Sequence, residues 1–253
     1  MATIHALAAQ VYEGILERKA ANAKGIASFL TEAQFGKLEA LMSPKRAKDG
    51  NCLFWEGEPA NRLIYIRSGK VMLRKTTEDG KSLILTVLQA GDLLGEFGHG
   101  DAVHGYDAEV VDHAELGMIA RADLEALLAR NGDMAIPFMN WMSLNHRVTE
   151  SKLRDLLLFG KPGALASTLI RLSNSYGVAC ADGIRISLKL TNSELADFIG
   201  TTRESVNRML NAMKEEGTID MHAGRIVVRR LDTLRKICGC PGCPACPNEV
   251  CRI

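Results

Sequence analysis

The sequence predicts an α+β fold. It reads as a β-barrel of short strands, one long helix, a small helical domain with a hairpin, and a cysteine-rich tail. Three observations carry this. Short β-prone runs punctuated by Gly and Asp fill residues 51–120, a pattern of barrels and jelly rolls. An uninterrupted amphipathic stretch follows from about Asp133 to Phe159. Five of the seven cysteines crowd into the last sixteen residues.

Residues 1–50 read as helical. Val11, Ile15, Ala21 and Ile26 are apolar among charges, Phe29, Phe35, Leu38 and Leu41 follow, and Thr31 with Gln34 fits a capping box. The expected strands are Cys52–Trp55, Arg62–Ile66, Lys70–Lys75, Ser82–Leu88 and Ala114–Ala120. Asp79-Gly80 between two alternating runs predicts a hairpin turn. A short helix over Ala122–Arg130 precedes the long one. On the long helix Trp141, Leu144, Val148, Ser151 and Asp155 are spaced 3, 4, 3 and 4, the repeat of a coiled-coil seam. Lys161-Pro162-Gly163 marks a joint, Ala164–Tyr176 a further amphipathic helix, and Asp182-Gly183 the turn of a second hairpin.

Residues 191–210 carry the most specific local signal. Leu195 and Ala196 pack a first helix, Gly200 makes the turn, Thr202 caps a second helix, and Val206, Met209 and Leu210 face inward. That leaves Arg203, Glu204, Asn207 and Arg208 outward. An Arg can pair with guanine O6 and N7 and a Glu can accept from cytosine N4, so this helix is suited to reading base edges. Gly224 turns a short wing, with Arg225, Arg229 and Arg230 as candidate phosphate contacts. From Thr191 to Lys236 there are eight Lys/Arg against seven Asp/Glu, so geometry and avidity matter more than bulk charge.

The prolines after Cys240, Cys243 and Cys246 exclude a regular helix there, so the tail wraps as a loop. Closely spaced soft ligands suit an iron–sulfur cluster, zinc or thiol redox chemistry, and spacing alone leaves all three open. A net charge of +1 excludes a strong global field, and 5% aromatic residues argue against stacking on single strands. No signal peptide or membrane-spanning run is seen, which predicts a cytoplasmic protein with reduced thiols. His99, His104, His113 and His146 are scattered and read as exposed or internally satisfied. No nucleophile–base constellation or phosphate loop appears, so no enzyme is expected.

Phe54-Trp-Glu-Gly57-Glu58, Leu63-Ile-Tyr65, Ser68-Gly69-Lys-Val71, Gly80 and Gly91-Asp92-Leu-Leu-Gly95-Glu96-Phe97, with the motif over 191–210, resemble the cyclic-AMP receptor/fumarate–nitrate regulator family. The likeness runs from about Ile26 to the end. It implies a cyclic-nucleotide-binding-like barrel with N-terminal helices over 1–132, a dimerisation helix over 133–160, a winged helix-turn-helix over 161–236 and a cluster-binding tail over 237–253. Nucleotide binders of the family present an Arg-Ser pair to the phosphate. Tyr106-Asp107 stands there, so no cyclic AMP is expected, and Glu96 and Tyr106 read as solvated polar residues.

No cysteine precedes Cys52, which excludes the N-terminal cluster of some members. The tail instead resembles the Gram-positive type, Cys-x2-Cys-x4-Cys, matched by Cys243, Cys246 and Cys251. That resemblance implies a [4Fe-4S] cluster with an aspartate as fourth ligand, aligned with Asp155. Cys240 is the rival ligand, and Cys238 and Cys240 depart from the pattern. The implied function is an oxygen- or redox-responsive transcription regulator of anaerobic genes, an activator working as a homodimer with RNA polymerase on double-stranded DNA. Arg203, Glu204 and Arg208 match receptor-type TGTGA half-sites of a two-fold operator. A zinc, thiophilic-metal or thiol sensor of the same fold is the alternative, and an electron-transfer protein a remote one.

Overall fold

The structure is a computed structural model and describes residues 25–97, 101–240 and 250–253. The chain forms two compact units. The first holds residues up to Val71 together with Leu88–Met142, and the second holds Met72–Val87 with Ser143–Ile253. The expected helical segments Val11, Ile15 and Ala21 lie outside the described residues, as do His99, Cys243 and Cys246.

In the first unit a 3-10 turn, Gly25–Ser28, precedes helix α1, Glu32–Glu39. The predicted capping box is present: Gln34 N donates to Thr31 Oγ1 at 3.3 Å, and Thr31 N donates to the Gln34 side chain at 3.0 Å. The barrel strands are β1 Ser43–Ala47, β2 Cys52–Phe54, β3 Arg62–Thr76, β4 Ser82–Gln89, β5 Leu93–Leu94 and β6 Asp107–Ala120. Strand β6 pairs antiparallel with β1 in the register Ser43 to Met118, and with β2 around Cys52 and Glu109. Helix α2, Arg121–Arg130, and the first part of the long helix α3, Gly132–Leu158, close the unit. Leu38, Leu63, Ile119, Leu124, Phe138 and Trp141 share its core, with Phe138 and Trp141 in edge contact at 6.3 Å.

Several expectations are corrected here. Residues 43–47 form a strand, not a helix. Strand β6 begins seven residues before the expected Ala114, and Arg62–Ile66 and Lys70–Lys75 are one continuous strand. Trp141, Val148 and Asp155 do not form an outward seam, because each is buried within the chain. The large apolar residues that α3 exposes are Ile136, Met139, Met142, Leu153, Leu157 and Leu158.

The second unit is built on α4, Gly160–Tyr176, whose Leu165, Leu169 and Leu172 are fully buried. A four-stranded sheet runs in the order β7 (Gly177–Cys180), β8 (Gly183–Ile186), β10 (Arg225–Val228), β9 (Ile219–His222). Helices α5, Asn192–Phe198, and α6, Arg203–Glu215, pack against each other, and α7, Leu231–Ile237, packs on α4. The far half of the β3–β4 hairpin belongs to this unit. The Lys152 ammonium donates to Leu85 O at 3.1 Å, the Tyr176 hydroxyl donates to Val87 O at 2.9 Å, and Asp197 of α5 lies near Arg74.

Gly69 explains why β3 runs through the position where the sequence suggests a break. Its φ is +88°, and a Cβ there would sit 2.3 Å from His113 O in β6. Only the absence of a side chain lets the two strands approach. Gly69→Ala is expected to destabilise the chain by at least ~2 kcal/mol, combining left-handed strain with a backbone clash. Urea unfolding at constant m-value checks this, whereas Gly57→Ala, where a Cβ meets open space, pays the strain alone.

Candidate functional site

Thr191 opens α5 with a capping box: Glu194 N donates to Thr191 Oγ1 at 3.1 Å, and Thr191 N donates to Glu194 Oε2 at 2.6 Å. Gly200 turns the chain in the left-handed region at φ +60°. Thr202 then caps α6, accepting from Ser205 N at 3.3 Å. Val206, Leu210 and Met213 are buried, which fixes the rotation of α6 and leaves Arg203, Glu204 and Arg208 exposed. The Glu204 carboxyl is held below the ordinary range by its own backbone amide and by the Thr202 hydroxyl, so it stands ionised as an acceptor.

Four of the predicted contacts have partners within the chain. Asn207 is half-buried and accepts a hydrogen bond from Asn192 of α5. Arg225 donates to Ser187 O, which turns it into the fold rather than toward a phosphate. Arg229 pairs with Asp220 at 2.9 Å, and Arg230 Nε donates to Gly217 O at 3.2 Å.

A buried polar network lies where α3 meets α4. Asp155 is 3% exposed. Arg154 donates to its Oδ1 from Nε at 2.9 Å and from Nη2 at 2.5 Å. Its Oδ2 accepts from Arg171 Nη2 at 2.7 Å and from the Ser167 hydroxyl. Burial alone would raise the Asp155 carboxyl, but the Ser167, Arg171 and Arg154 donors outweigh it and hold the carboxyl below its ordinary value. Arg171, also 3% exposed, donates further to Ser151 Oγ at 2.7 Å and to Val250 O at 3.0 Å. Neither Arg171 nor Ser167 was among the expected site residues. The signal was there: an arginine four residues after a serine in an otherwise apolar helix face.

Both roots of the tail are fixed near this network. At the first root, Cys238 caps α7, Gly239 N donates to Lys236 O at 3.3 Å and Cys240 N to Arg235 O at 2.8 Å, a Schellman end. The Phe159 ring fills the space beside two glycines: a Cβ on Gly239 would lie 2.4 Å from its Cε1, and one on Gly163 would lie 2.2 Å from its Cβ. At the second root, Asn174 donates to Cys251 O at 2.7 Å and Ile253 N donates to Ser175 Oγ at 3.0 Å. Cys238 is buried, and burial first, then the charges of Cys240 and Asp155, push its thiol up to about 11. Among the described residues no three His, Cys, Asp or Glu side chains are gathered around one point, and Cys243 and Cys246 lie outside them.

In the barrel, Tyr106 is half-buried and not a solvated residue. Burial and the nearby Glu96 charge push its hydroxyl up to about 12. Its ring tilts against Phe54 at 5.8 Å, and His104 stacks on the same Phe54 at 3.5 Å with 9° between planes. His104 is buried with Nδ1 unpaired, and burial pushes its imidazole down against the pull of Glu96 and Glu58. Asp107 Oδ1 accepts from Glu56 N at 2.8 Å.

Lys152 stands one turn before Asp155, and loss of water, then the charges of Arg171 and Arg252, lower its ammonium from 10.5 to about 7. The unfolded chain therefore binds more protons than the folded one between pH 7 and 10.5, and stability rises with pH across that window. Lys152→Met is expected to remove this slope, a difference of at most ~1.4 kcal/mol per pH unit. Urea unfolding of both proteins from pH 7 to pH 9 measures it.

Residues 44–131 match the Cyclic nucleotide-binding domain family and residues 163–237 the Crp-like helix-turn-helix domain. The "Anaerobic regulatory protein" of Bacillus subtilis is 42% identical over 219 residues, covering 85% of this chain and 91% of that protein. A "CRP-like cAMP-activated global transcriptional regulator" of Mycobacterium tuberculosis is 25% identical over 84% of this chain and 95% of its own length. The global regulator CLP of Xanthomonas campestris shares the fold at a TM-score of 0.68, with 22% identity, over 78% of this chain and 99% of that one. With the capped two-helix motif, the wing and the barrel in place, the chain belongs to the cyclic-AMP receptor/fumarate–nitrate regulator family of DNA-binding transcription regulators.

Proposed function

We propose that this regulator responds to oxygen or redox state through a [4Fe-4S] cluster held by Cys243, Cys246, Cys251 and Asp155, and controls genes of anaerobic metabolism. One observation supports the reading: the Arg171 guanidinium hydrogen-bonds both the Asp155 carboxylate and the carbonyl of Val250, the residue before Cys251. The donor set fits the group, with soft thiolates for iron and one exchangeable carboxylate. A cluster bound there would supply an oxygen-labile centre, and its ligation would couple to the folding of the residues that hold it. The 42% identity to an anaerobic regulatory protein supports the same reading.

The chain's own residues do the rest. Asp155 links the long helix to the tail, and α7 links the tail to the DNA-binding unit. Dimerisation uses the exposed stripe of α3: Ile136, Met139, Leu153 and Leu157 repeat at heptad spacing with His146 and Glu150 paired between them at 3.1 Å. Cyclic AMP is not a ligand, because the half-buried Tyr106 and Asp107, which accepts from Glu56 N, replace a phosphate clamp. The dimer meets RNA polymerase on double-stranded DNA in the cytoplasm.

The deciding experiment measures iron, sulfide and zinc in anaerobically purified protein, with absorption spectra and operator binding before and after air. Iron and sulfide with air-sensitive operator binding are expected, while stoichiometric zinc without sulfide would favour a metal sensor of the same fold. Asp155→Ala is expected to lose the cluster on anaerobic reconstitution and Cys240→Ser to keep it; the reverse pattern would make the ligands four cysteines.

For DNA, Arg203, Glu204 and Arg208 are proposed to read TGTGA-like half-sites set about one turn, roughly 34 Å, apart. Thr202 positions the helix start, and Asn207 contributes only after leaving Asn192. Arg203→Ala should cost ~1–3 kcal/mol per half-site and flatten the preference for guanine at one position. Competition binding with each base substituted there is the check.

A further inference from the structure

We infer that Arg171 is the positioning residue that holds the cysteine-bearing end of the chain against Asp155, with Arg154 as the partner that Asp155 can give up. The inference rests on the cluster reading for its purpose, but its geometry stands in the iron-free chain. One guanidinium makes four hydrogen bonds: to Ser151 Oγ at 2.7 Å and Asp155 Oδ2 at 2.7 Å on α3, to Ser167 Oγ at 3.2 Å on its own helix, and to Val250 O at 3.0 Å at the chain's end. A lysine keeps the charge but has no planar fork to span a carboxylate and a carbonyl at once.

The two oxygens of Asp155 are held differently. Oδ2 faces Arg171 and Ser167, both buried, while Oδ1 faces only Arg154, whose side chain is 37% exposed. A partner with access to water can swing out at small cost; a buried arginine cannot. Arg171 and Ser167 thus fix the carboxylate by one oxygen and leave the other for exchange. Hydrogen bonds of this kind orient a ligating group and tune its affinity.

The test uses the full chain in two forms. In the iron-free form, deuterium uptake is followed over residues 250–253 in wild type, Arg171→Lys, and the double variant Asp155→Asn with Arg171→Met. The double variant removes both buried charges together, so neither is left alone and folding is preserved. Uptake at 250–253 is expected to rise about tenfold in both variants, with the middle of α4 unchanged. Unchanged uptake at 250–253 in both would overturn the proposal. In the iron-loaded form, Arg171→Lys is expected to lose its iron–sulfur absorption in air several-fold faster than wild type, and Arg154→Ala to decay at the wild-type rate; equal decay of Arg171→Lys and wild type would overturn the positioning role. A wild-type chain that takes up no iron and sulfide would remove the cluster reading alone, since the uptake measurement decides the anchoring by Arg171 without iron.

Discussion

The buried ion pair between Asp155 and Arg171 is the constraint around which the second unit is arranged. Two charges out of water are tolerated only when every remaining donor and acceptor is met. Here they are met by Ser151 from α3, Ser167 from α4 and a carbonyl from the chain's last residues. Three segments distant in sequence therefore share one guanidinium. None of them can shift alone without leaving a charge or a carbonyl unpaired.

The DNA-reading elements show the opposite chemistry. Helix α6 is fixed by apolar burial on one side and by a threonine cap at its start, and its exposed side keeps its polar groups in water. Burial there sets orientation, and exposure keeps the side chains available to a partner. The same unit thus combines a rigidly specified polar interior at the α3–α4 joint with an unspent polar surface on α6. Helix α4 carries the buried Ser167 and Arg171, and α7 and the β7–β8 hairpin pack against it.

Legibility in the sequence followed the range of the interactions. Both capping boxes, the Asp79-Gly80 turn and the two-helix motif were readable because each is decided within a few residues. Strand β1 was not, because Ser43–Ala47 is an exposed edge of Pro, Lys and Arg with no alternation. The first half of β6 hid for a related reason, being rich in charge. The long helix carries two stripes at heptad spacing, and nothing local says which one the chain keeps for its own interior; Trp141 and Phe138 decide it by joining the barrel core. The role of Asp155 was legible only as an alignment, and its partner Arg171 only as an oddity in an apolar face. Arg225 shows the same limit, since the Ser187 carbonyl that claims it is 38 residues away.

Phe159 wedges the first root of the tail into the α3–α4 joint, and Arg171, Asn174 and Ser175 pin the second root to α4. Residues 241–249 are thus a chord between two fixed points. The entropy of closing such a chord grows slowly with its length, by about 0.6 kcal/mol for each doubling. Insertions, deletions and altered cysteine spacing in the chord therefore leave its moorings intact.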